Sequence, residues 1–438
     1  MSLNKGDIIR IKDGDEAQVI DEFGSGGQGT VYRVRYQGKD YALKWYHTNA
    51  FKNEGRDFYK NLENNINNGA PTKNFLWPLC ITEKQFGSFG YLMDIRPSGY
   101  SELTEFFVGT KKKKQVHFAS FTAISNAAIN IIQGFRALHN KGYTYQDINN
   151  GNFFINPQNG DVLICDNDNV APAGTNLGIM GKQRWMAPEV VTGGDPDKFS
   201  DRFSLAVVLF RLLFINHPLE GKYSTPPCMT KELEKKYYGT NPLFIMDPNN
   251  NNNRPISGTA HNLNLFWNVY PQYIRDAFIK AFSQEALLDK NKRIIEKDWL
   301  NLFFRLRAET GLCPYCKRET FWDTTDSFVR CIECNGHINT NSRLKVSNNT
   351  YLPIHVGLKV YLWHIDSSME DVETIIADVI QNPKDPNLLG FKNISNHTWK
   401  VSLPDGSQRA VEPGRIVPVK DKFQIDFLGN NYVTTIEL

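Results

Sequence analysis

The most informative part of the sequence is Tyr145-Gln146-Asp147-Ile148-Asn149-Asn150-Gly151-Asn152, which is followed by the apolar strand Phe153-Phe154-Ile155. An aspartate and an asparagine five residues apart on a tight loop can divide two tasks. Asp147 would accept a proton from an attacking hydroxyl, and Asn152 would bind a magnesium ion. Because a single Asp or Asn in a loop usually only forms a turn, the interpretation needs support from other motifs.

A second carboxylate stands at the end of the next apolar segment, Val162-Leu163-Ile164-Cys165-Asp166. At a strand end, Asp166 is suited to the magnesium ion that bridges the β- and γ-phosphates of a nucleotide. The series continues with Ala187-Pro188-Glu189. Together with the Gly-rich segment, the lysine and the glutamate described next, this ordered set is very unlikely to arise by chance.

Upstream, Gly24-Ser25-Gly26-Gly27-Gln28-Gly29-Thr30-Val31 can form a strand–turn–strand that points backbone N–H groups at phosphate oxygens. Alone, this segment is equally consistent with an ordinary hairpin tip. Tyr41-Ala42-Leu43-Lys44 follows as an apolar strand ending in a cation for the α- and β-phosphates. A carboxylate must hold that cation. Glu63, in a helix predicted over 56–66, is the expected partner, and Glu54 is the alternative.

Together these motifs resemble the eukaryotic-like protein kinase family over about residues 7–307. The resemblance implies an α+β, bilobal protein-kinase fold, with ATP and Mg²⁺ (or Mn²⁺) between a β-rich lobe, about 7–96, and a helical lobe, about 97–307. It implies Asp147, Lys44 and Glu63 as catalytic residues and Asn152 and Asp166 as magnesium ligands. The nucleotide site that it implies comprises Gly24, Ser25, Gly26, Gly27, Gln28, Gly29, Val31, Ala42, Lys44, Met93, Asp94, Asn152 and Asp166.

Two further contacts follow from the resemblance. Asp201, at the start of a helix around Phe203–Phe214, would brace the catalytic loop. Arg293 would pair with Glu189 in the platform that receives a protein substrate. The resemblance therefore implies a protein substrate with a Ser/Thr acceptor.

The chain departs from the family pattern at three places. Tyr145-Gln146-Asp147 replaces His-Arg-Asp, so the arginine that reads a phosphorylated activation loop is missing. Asn149 replaces the lysine usual in Ser/Thr kinases, and Asp166-Asn167-Asp168 replaces Asp-Phe-Gly. Thr175 is the sole hydroxyl residue from 166 to 189, so activation should not need phosphorylation there. The Asp-Asn-Asp variant with a following Cys-rich module resembles bacterial kinases encoded near phosphatase and tellurite-resistance-type proteins.

These features leave three functions open. Retention of the lysine, its glutamate, the base and both magnesium ligands favours an active Ser/Thr protein kinase. The substitutions at Gln146, Asn149 and Asp168 favour a pseudokinase scaffold that binds nucleotide and partner proteins without turnover. A small-molecule kinase also dispenses with the catalytic-loop lysine, but the platform residues Glu189 and Arg293 speak against it.

A cysteine-rich module, 308–340, follows the kinase-like region. Cys313-Pro314-Tyr315-Cys316 and Cys331-Ile332-Glu333-Cys334 form two C-x-x-C knuckles separated by fourteen residues, which resembles a zinc ribbon. Four thiolates leave no open position on Zn²⁺, so the predicted zinc is structural; a redox-active dithiol is the alternative.

Residues 341–438 predict a small all-β sandwich with strands over 357–365, 374–379, 390–394, 399–403 and 423–427. Leu389–Ser395 and Val411–Arg415 resemble the later half of a forkhead-associated domain, of which this would be a degenerate member. No early Gly-Arg and Ser pair matches that family, which favours a site for a docking partner over a phosphopeptide reader.

Composition fits this organisation. The 50 basic and 47 acidic residues leave a net charge of +3, which argues against a dedicated nucleic-acid or membrane-surface binder. The N-terminus predicts no signal peptide, and the apolar run 203–215 is too short to span a bilayer. Seven cysteines favour a reducing, cytoplasmic location. The asparagine run Asn249–Asn253 predicts a disordered polar loop.

Overall fold

The computed structural model describes residues 2–12, 14–48, 50, 56–109, 114–175, 177–178, 181–256, 258, 261–347, 350–429 and 432–438. Glu54, the alternative partner for Lys44, lies outside the described residues. No helix within the described ranges combines the length and the apolar character that a membrane crossing requires.

In the part of the first lobe that the structure describes, an antiparallel sheet is accompanied by one helix. Its strands, in the sheet order β1-β2-β3-β4-β6-β5, are β1 (Ile8–Arg10), β2 (Glu16–Ser25), β3 (Gly29–Tyr36), β4 (Lys39–Tyr46), β5 (Cys80–Ile81) and β6 (Gly90–Met93). The helix α1 spans Arg56–Asn68. Alternating apolar residues such as Ile9, Val19, Val34 and Leu43 fill one face of the sheet, as the expected β-rich lobe requires.

The second lobe is mainly helical. Its helices are α2 (Leu103–Phe107), α3 (Phe121–Asn140), α4 (Pro188–Val191), α5 (Lys198–Phe214), α6 (Lys231–Lys235), α7 (His261–Phe266), α8 (Gln272–Ala281), α9 (Gln284–Leu288) and α10 (Glu296–Glu309). Its short strands are β7 (Ser101–Glu102), β8 (Tyr143–Thr144), β9 (Phe153–Ile155), β10 (Val162–Ile164) and β11 (Ala171–Pro172). Helix α5 is buried along most of its length and begins with a capping box between Asp197 and Ser200. These two lobes are the bilobal arrangement that the resemblance implies.

The cysteine-rich module consists of two hairpins. One pairs β12 (Thr310–Leu312) with β13 (Glu319–Phe321), and the other pairs β14 (Phe328–Arg330) with β15 (His337–Asn339). Each knuckle lies at one hairpin, so the four cysteines converge.

The remaining chain forms two sheets around one core, as predicted for a sandwich. Its strands are β16 (Arg343–Ser347), β17 (Thr350–Pro353), β18 (Lys359–Tyr361), β19 (Ile375–Asn382), β20 (Asp385–Asn393), β21 (Trp399–Ser402), β22 (Gln408–Val411), β23 (Ile416–Pro418), β24 (Gln424–Asp426) and β25 (Val433–Glu437). One sheet has the order β17-β16-β25-β24-β21-β22 and the other β18-β19-β20-β23. Leu344, Val401 and Ile436 from the first sheet and Val379 and Phe391 from the second share the core.

Two local predictions were wrong. Residues 362–365 are not strand but the short helix α11 (Leu362–Ile365), because Trp363 stacks on Phe304 of α10 at 5.4 Å between ring centroids. The asparagine run is not disordered at its end, because Asn253 is buried and its amide donates to the carbonyls of Leu219 and Leu243. The amide oxygen of Asn253 accepts hydrogen bonds from the backbone of Tyr223 and Ser224 and from the Ser224 hydroxyl, so both ends of the side chain are held in place.

The chain separates into two compact units. One comprises Met1–His117, Asn130–Leu263 and Phe278–Glu296, and the other comprises Phe118–Ile129, Asn264–Ala277 and Lys297–Leu438. The second unit therefore contains the start of α3 and most of α10 besides the cysteine-rich module and the sandwich. The domain boundaries at 307 and 340 stay predictions.

Candidate active site and metal site

One buried carboxylate, that of Asp201, holds the backbone of the loop that carries Asp147. Asp201 of α5 accepts hydrogen bonds from the backbone N–H groups of Tyr145, at 2.7 Å, and Gln146, at 3.1 Å. Gln146 has a φ of +70°, a strained value for a non-glycine residue. Two charge-assisted bonds to Asp201 stabilise that conformation, which confirms the bracing role predicted for this aspartate.

A histidine from a neighbouring helix completes the brace. His139, near the end of α3, contacts Asp201 through Nε2 at 3.0 Å and Glu296 through Nδ1 at 2.9 Å. Arg202 pairs with the same glutamate at 2.8 Å. Sequence reasoning missed His139. Tyr145 replaces the histidine of the family motif. The available signal was a histidine, His139, only six residues before it.

Asp147 is positioned by three donors. The amide of Asn149 donates to the Asp147 carboxylate at 3.1 Å, and the backbone N–H of Lys182 donates to it at 3.0 Å. The amide of Asn152 donates to the Asp147 carbonyl at 2.8 Å. Burial raises the pKa of Asp147 to about 6, although the hydrogen bond from Asn149 opposes the shift. At neutral pH this carboxylate is mainly ionised and able to accept a proton.

The two magnesium-ligand candidates lie on adjacent loops. The backbone N–H of Cys165 donates to the carbonyl of Asn152 at 2.8 Å, which ties the loop after β8 to the end of β10. Asp166 follows in a left-handed conformation with a φ of +52°, and its side chain stays 46% exposed. Amide and carboxylate oxygens are ligands that Mg²⁺ accepts, so this donor set fits the ion.

Lys44 on β4 does not pair with Glu63. The Nζ of Lys44 contacts the two carboxylate oxygens of Asp168 at 2.8 and 3.1 Å and one oxygen of Asp166 at 3.2 Å. Glu63 instead accepts a hydrogen bond from Lys12. The predicted Lys44–Glu63 pair is therefore wrong, because Lys44 pairs with Asp168 and Asp166 while Glu63 pairs with Lys12.

The glycine-rich segment forms the hairpin between β2 and β3. Gly26 donates to the carbonyl of Gly29 at 2.8 Å, and Gln28 accepts from His47 at 2.9 Å. A Cβ at Gly29 would lie 2.4 Å from the carbonyl oxygen of Trp45, so this position requires glycine. The predicted phosphate-facing residues Gly24, Ser25, Gly26 and Gly27 are exposed, which leaves their backbone open to an anion.

Three candidate adenine contacts lie together. Val31, Ala42 and Met93 belong to one apolar cluster, and Ala42 of β4 pairs directly with Met93 of β6. Asp94 follows Met93 and forms an exposed ion pair with Lys39 at 3.0 Å. The cluster has the apolar character that a nucleobase needs.

The predicted pair beneath the substrate platform is confirmed. Arg293 donates from both terminal nitrogens to the carboxylate of Glu189, at 2.7 and 2.6 Å. The Arg293 guanidinium is buried and also donates to the carbonyl of Phe199 at 2.8 Å. This fork fixes the end of the activation segment at the start of α5.

The four clustered cysteines form a candidate metal site. The sulfur atoms of Cys313 and Cys334 lie 3.7 Å apart, as do those of Cys316 and Cys331. All four sulfur atoms lie within 4.8 Å of one another. A tetrahedral ion with arms of about 2.3 Å has ligands about 3.8 Å apart, so the spacing fits Zn²⁺. The cluster could therefore hold a metal ion.

The cysteine-rich module also caps a helix. Glu319 of β13 accepts from the backbone N–H of Phe121 at 2.5 Å and from the hydroxyl of Thr122 at 2.7 Å, at the start of α3. Phe321 packs on Phe121 and Tyr270 at 5.0 and 5.4 Å. A carboxylate at a helix N-terminus satisfies free donors and favours the helix dipole.

Comparison with known proteins identifies one family. Residues 17–264, more than half of the chain, match the family model described as protein kinase domain. A probable serine/threonine-protein kinase, kinX, of Dictyostelium discoideum is 26% identical over 212 residues, which cover 45% of this chain and 18% of that protein.

Two plant and animal relatives match shorter or comparable regions. The serine/threonine/tyrosine-protein kinase HT1 of Arabidopsis thaliana is 25% identical over 46% of this chain and 51% of its own length. The dual specificity testis-specific protein kinase 1 of Mus musculus is 32% identical over 20% of this chain and 15% of its own length. The chain thus spans about half or less of these relatives. The crystal structure of the Mycobacterium tuberculosis PknI kinase domain, a double mutant, aligns with a TM-score of 0.45 at 16% identity, over 69% of this chain and 98% of that one.

Proposed function

The chain belongs to the protein kinase family, and from this premise we propose that it is an active kinase that transfers the γ-phosphoryl group of ATP to serine and threonine hydroxyls of a protein. The observation that carries the proposal is the tie between two loops, Cys165 N–H to Asn152 carbonyl at 2.8 Å. This hydrogen bond joins the loop that carries Asp147 and Asn152 to the strand end that carries Asp166.

In this proposal Asp147 is the base. Its pKa of about 6 leaves it ionised near neutral pH, and the Asn149 amide and the Lys182 N–H fix its orientation. It would orient the acceptor hydroxyl and accept its proton, as the catalytic-loop aspartate of kinases does.

The remaining residues bind the nucleotide. Lys44 and the backbone of Gly24–Gly29 would hold the phosphates, while Val31, Ala42 and Met93 would face the adenine. Asn152 and Asp166 would hold magnesium, which when bound neutralises phosphate charge. The exposed carboxylate of Asp166 supports this assignment because it is open to a cation.

Two observations support a protein acceptor bearing a serine or threonine hydroxyl. The Arg293–Glu189 fork is intact, and it anchors the segment on which kinases receive protein substrates. The names of kinX and HT1 describe them as acting on serine and threonine, and HT1 also on tyrosine.

A pseudokinase scaffold is the second candidate, and one observation favours it. The ammonium of Lys44 already lies against two carboxylates, Asp168 and Asp166. If that pairing persisted with nucleotide bound, the phosphates would lose a cation. The chain would then bind partners without turnover.

We further propose that the cysteine cluster holds a structural Zn²⁺, since four thiolates leave no position for an activated water. The sandwich beyond residue 341 is proposed as a docking site for a partner protein. Its forkhead-associated likeness stays a hypothesis.

The experiment is phosphoryl transfer by the purified chain. With γ-labelled ATP and Mg²⁺ or Mn²⁺, the wild type should label itself or a generic protein acceptor, and Asp147→Asn should not. Acid hydrolysis of the labelled protein should release phosphoserine or phosphothreonine. Equal labelling by both proteins would overturn the proposed base, and labelling confined to phosphotyrosine would overturn the acceptor class. Nucleotide binding without any transfer would establish the pseudokinase.

A further inference from the structure

We infer that Asp168 is the positioning residue for Lys44, in the role that a glutamate of α1 was expected to have. The inference rests on the proposed function, because a positioned lysine matters only where a nucleotide binds. It assigns a task to the third residue of the Asp-Asn-Asp motif, where the family pattern has glycine and no side chain.

The contact between Lys44 and Asp168 is bidentate and buried. Lys44 Nζ lies 2.8 and 3.1 Å from the two carboxylate oxygens of Asp168. The side chains of Lys44 and Asp168 are 7% and 0% exposed, whereas Asp166, the other neighbour at 3.2 Å, is 46% exposed. Charges attract more strongly where water is excluded. Asp168 is thus the stronger holder of the lysine, and Asp166 stays available to a metal.

Burial of the lysine makes its counter-ion important. An ammonium group whose side chain is only 7% exposed needs a carboxylate close by, and Asp168 supplies both of its oxygens.

Two tyrosine hydroxyls hold the carboxylate of Asp168 in place. Tyr46, two residues after Lys44 on the same face of β4, donates its hydroxyl to Asp168. Tyr91 of β6 is paired directly opposite Lys44, and its hydroxyl donates to an Asp168 carboxylate oxygen at 3.4 Å. Burial and the nearby Asp168 raise the pKa of both tyrosines well above the ordinary value, so both hydroxyls remain donors. One pair of strands therefore supplies the lysine and the groups that fix its counter-ion.

The packing of helix α1 fixes its rotation and so prevents Glu63 from turning toward Lys44. Phe58 and Leu62 on its inner face belong to the apolar core. Asn61 and Asn65, one turn apart on the same face, both donate to the carbonyl of Val170 at 2.7 Å. Since successive residues turn by about 100°, bringing Glu63 inward would roll these side chains out of place. Such a roll would expose apolar surface and leave two buried amides unpaired.

The same asparagines hold the segment that carries Asp168. Asp168 is the middle residue of the short 3₁₀ helix Asn167–Asn169, and Val170 directly follows that helix. Asn167 donates to the carbonyls of Leu76 and Ile164, both at 2.8 Å, which fixes the start of that turn. Helix α1 thus acts on Lys44 through Asp168, and its register need not shift for the lysine to be placed.

The test compares Asp168→Asn with Glu63→Gln, the variant that the alternative partner requires, and with the exposed matched control Asp161→Asn. The first readout needs no turnover. A short pulse of acetic anhydride on the nucleotide-free full chain, followed by peptide mass spectrometry, measures how far Lys44 is shielded. We expect Asp168→Asn to raise acetylation of Lys44 at least fivefold and the other two variants to leave it within twofold. The second readout is phosphoryl transfer: Asp168→Asn should lower kcat/KM for ATP at least 50-fold, with kcat falling more than KM rises.

Increased labelling in Glu63→Gln, with Asp168→Asn unchanged, would overturn the inference. If Asp168→Asn does not fold, Tyr46→Phe removes one donor to the same carboxylate and should raise Lys44 labelling at least twofold; no rise in that variant also overturns it. An inactive wild type would refute the proposed function alone, because the labelling pattern still reports which carboxylate holds the lysine.

Discussion

The side-chain amide of Gln146 donates to the backbone carbonyl of Thr175 at 2.7 Å. Gln146 stands where the family motif has an arginine, and it is buried. An arginine there would bind a phosphate on the activation segment, but a neutral amide binds the backbone of that segment directly. The segment near Thr175 is therefore held without a modification.

Activity should accordingly not depend on phosphorylation of Thr175. Thr175→Ala keeps the carbonyl that Gln146 binds, so phosphoryl transfer by this variant and by phosphatase-treated wild type should stay within twofold of untreated protein. Gln146→Ala removes the donor and should lower transfer more than Thr175→Ala does. A tenfold loss in Thr175→Ala, about 1.4 kcal/mol of transition-state stabilisation, would mean that a cation elsewhere reads a phosphate at this position.

Asp147 and Asp166 should fail in separable ways. Asp147 acts on the acceptor hydroxyl, so Asp147→Asn should bind ATP and Mg²⁺ as the wild type does yet lose transfer. Asp166 would hold the metal, so Asp166→Asn should lose both transfer and tight nucleotide binding at ordinary metal concentrations. Fluorescent-nucleotide titration with and without Mg²⁺ measures the difference. Equal nucleotide affinity in the two variants would contradict the assignment of Asp166.

The contiguous motifs of this candidate site could be read from the sequence, and their catalytic roles stay predictions; the partner of Lys44 depends on the rotation of α1 and could not be read in this way. Tyr145–Asn152 and Val162–Asp166 carry their chemistry in local order, and the structure joins them. Lys44 was recognised, but its neighbour was not, since Asn61 and Asn65 set the roll of α1 through a bond to Val170 that no local pattern reveals. Both amides look like ordinary polar residues in the sequence.

Long-range packing was similarly hidden. The contact of Glu319 with Phe121 joins residues 198 positions apart, and nothing in either segment specifies it. In the sandwich, the predicted strands near 374–379 and 399–403 each bury at least two apolar side chains. The unpredicted strands β22 and β23 have mainly exposed side chains, so their amphipathic signal is weak.

Folding stability should change with pH through the His139 cluster. Despite burial, which acts the other way, Asp201 and Glu296 raise the pKa of His139 from 6.5 to about 9. A pKa that is higher in the folded than in the unfolded state stabilises the folded protein at low pH. The contribution of His139 is therefore complete below its unfolded pKa of 6.5 and is lost as the pH rises from 6.5 to 9. The pKa of Glu296 is lowered from 4.5 to about 2 by His139 and Arg202 against the effect of burial. Its contribution is therefore present above pH 4.5 and is lost as the pH falls toward 2.

Replacing the histidine should remove the alkaline part of that dependence. His139→Gln keeps a polar side chain but cannot titrate, so its free energy of unfolding should be lower than the wild type by about 1–3 kcal/mol at pH 6 and nearly equal at pH 9.5. Urea unfolding followed by tryptophan fluorescence measures both values. His261→Gln, at an exposed histidine, should show no such change. A deficit in His139→Gln that is the same at both pH values would contradict the ionic role.

Metal removal should loosen the cysteine-rich module and the start of α3 together. Cys331→Ser removes one of four thiolates, and binding free energy of a structural zinc is folding free energy for so small a module. Release of the metal should therefore make residues 310–340 sensitive to protease. Because Glu319 caps α3, hydrogen exchange should also increase at Phe121 and the following residues, while exchange in β2–β6 stays unchanged.

Glu319→Gln separates the two effects, since it weakens the cap and keeps all four cysteines. This variant should retain one zinc per chain and resist protease at 310–340, yet show faster exchange at the start of α3, at a cost of about 1 kcal/mol in stability. Metal analysis after mild purification is the decisive measurement. Less than about 0.3 zinc per wild-type chain, set against the tight binding of four-thiolate sites, would overturn the structural zinc. Unchanged exchange at Phe121 in both variants would show instead that the cap does not transmit the state of the metal site to the helix.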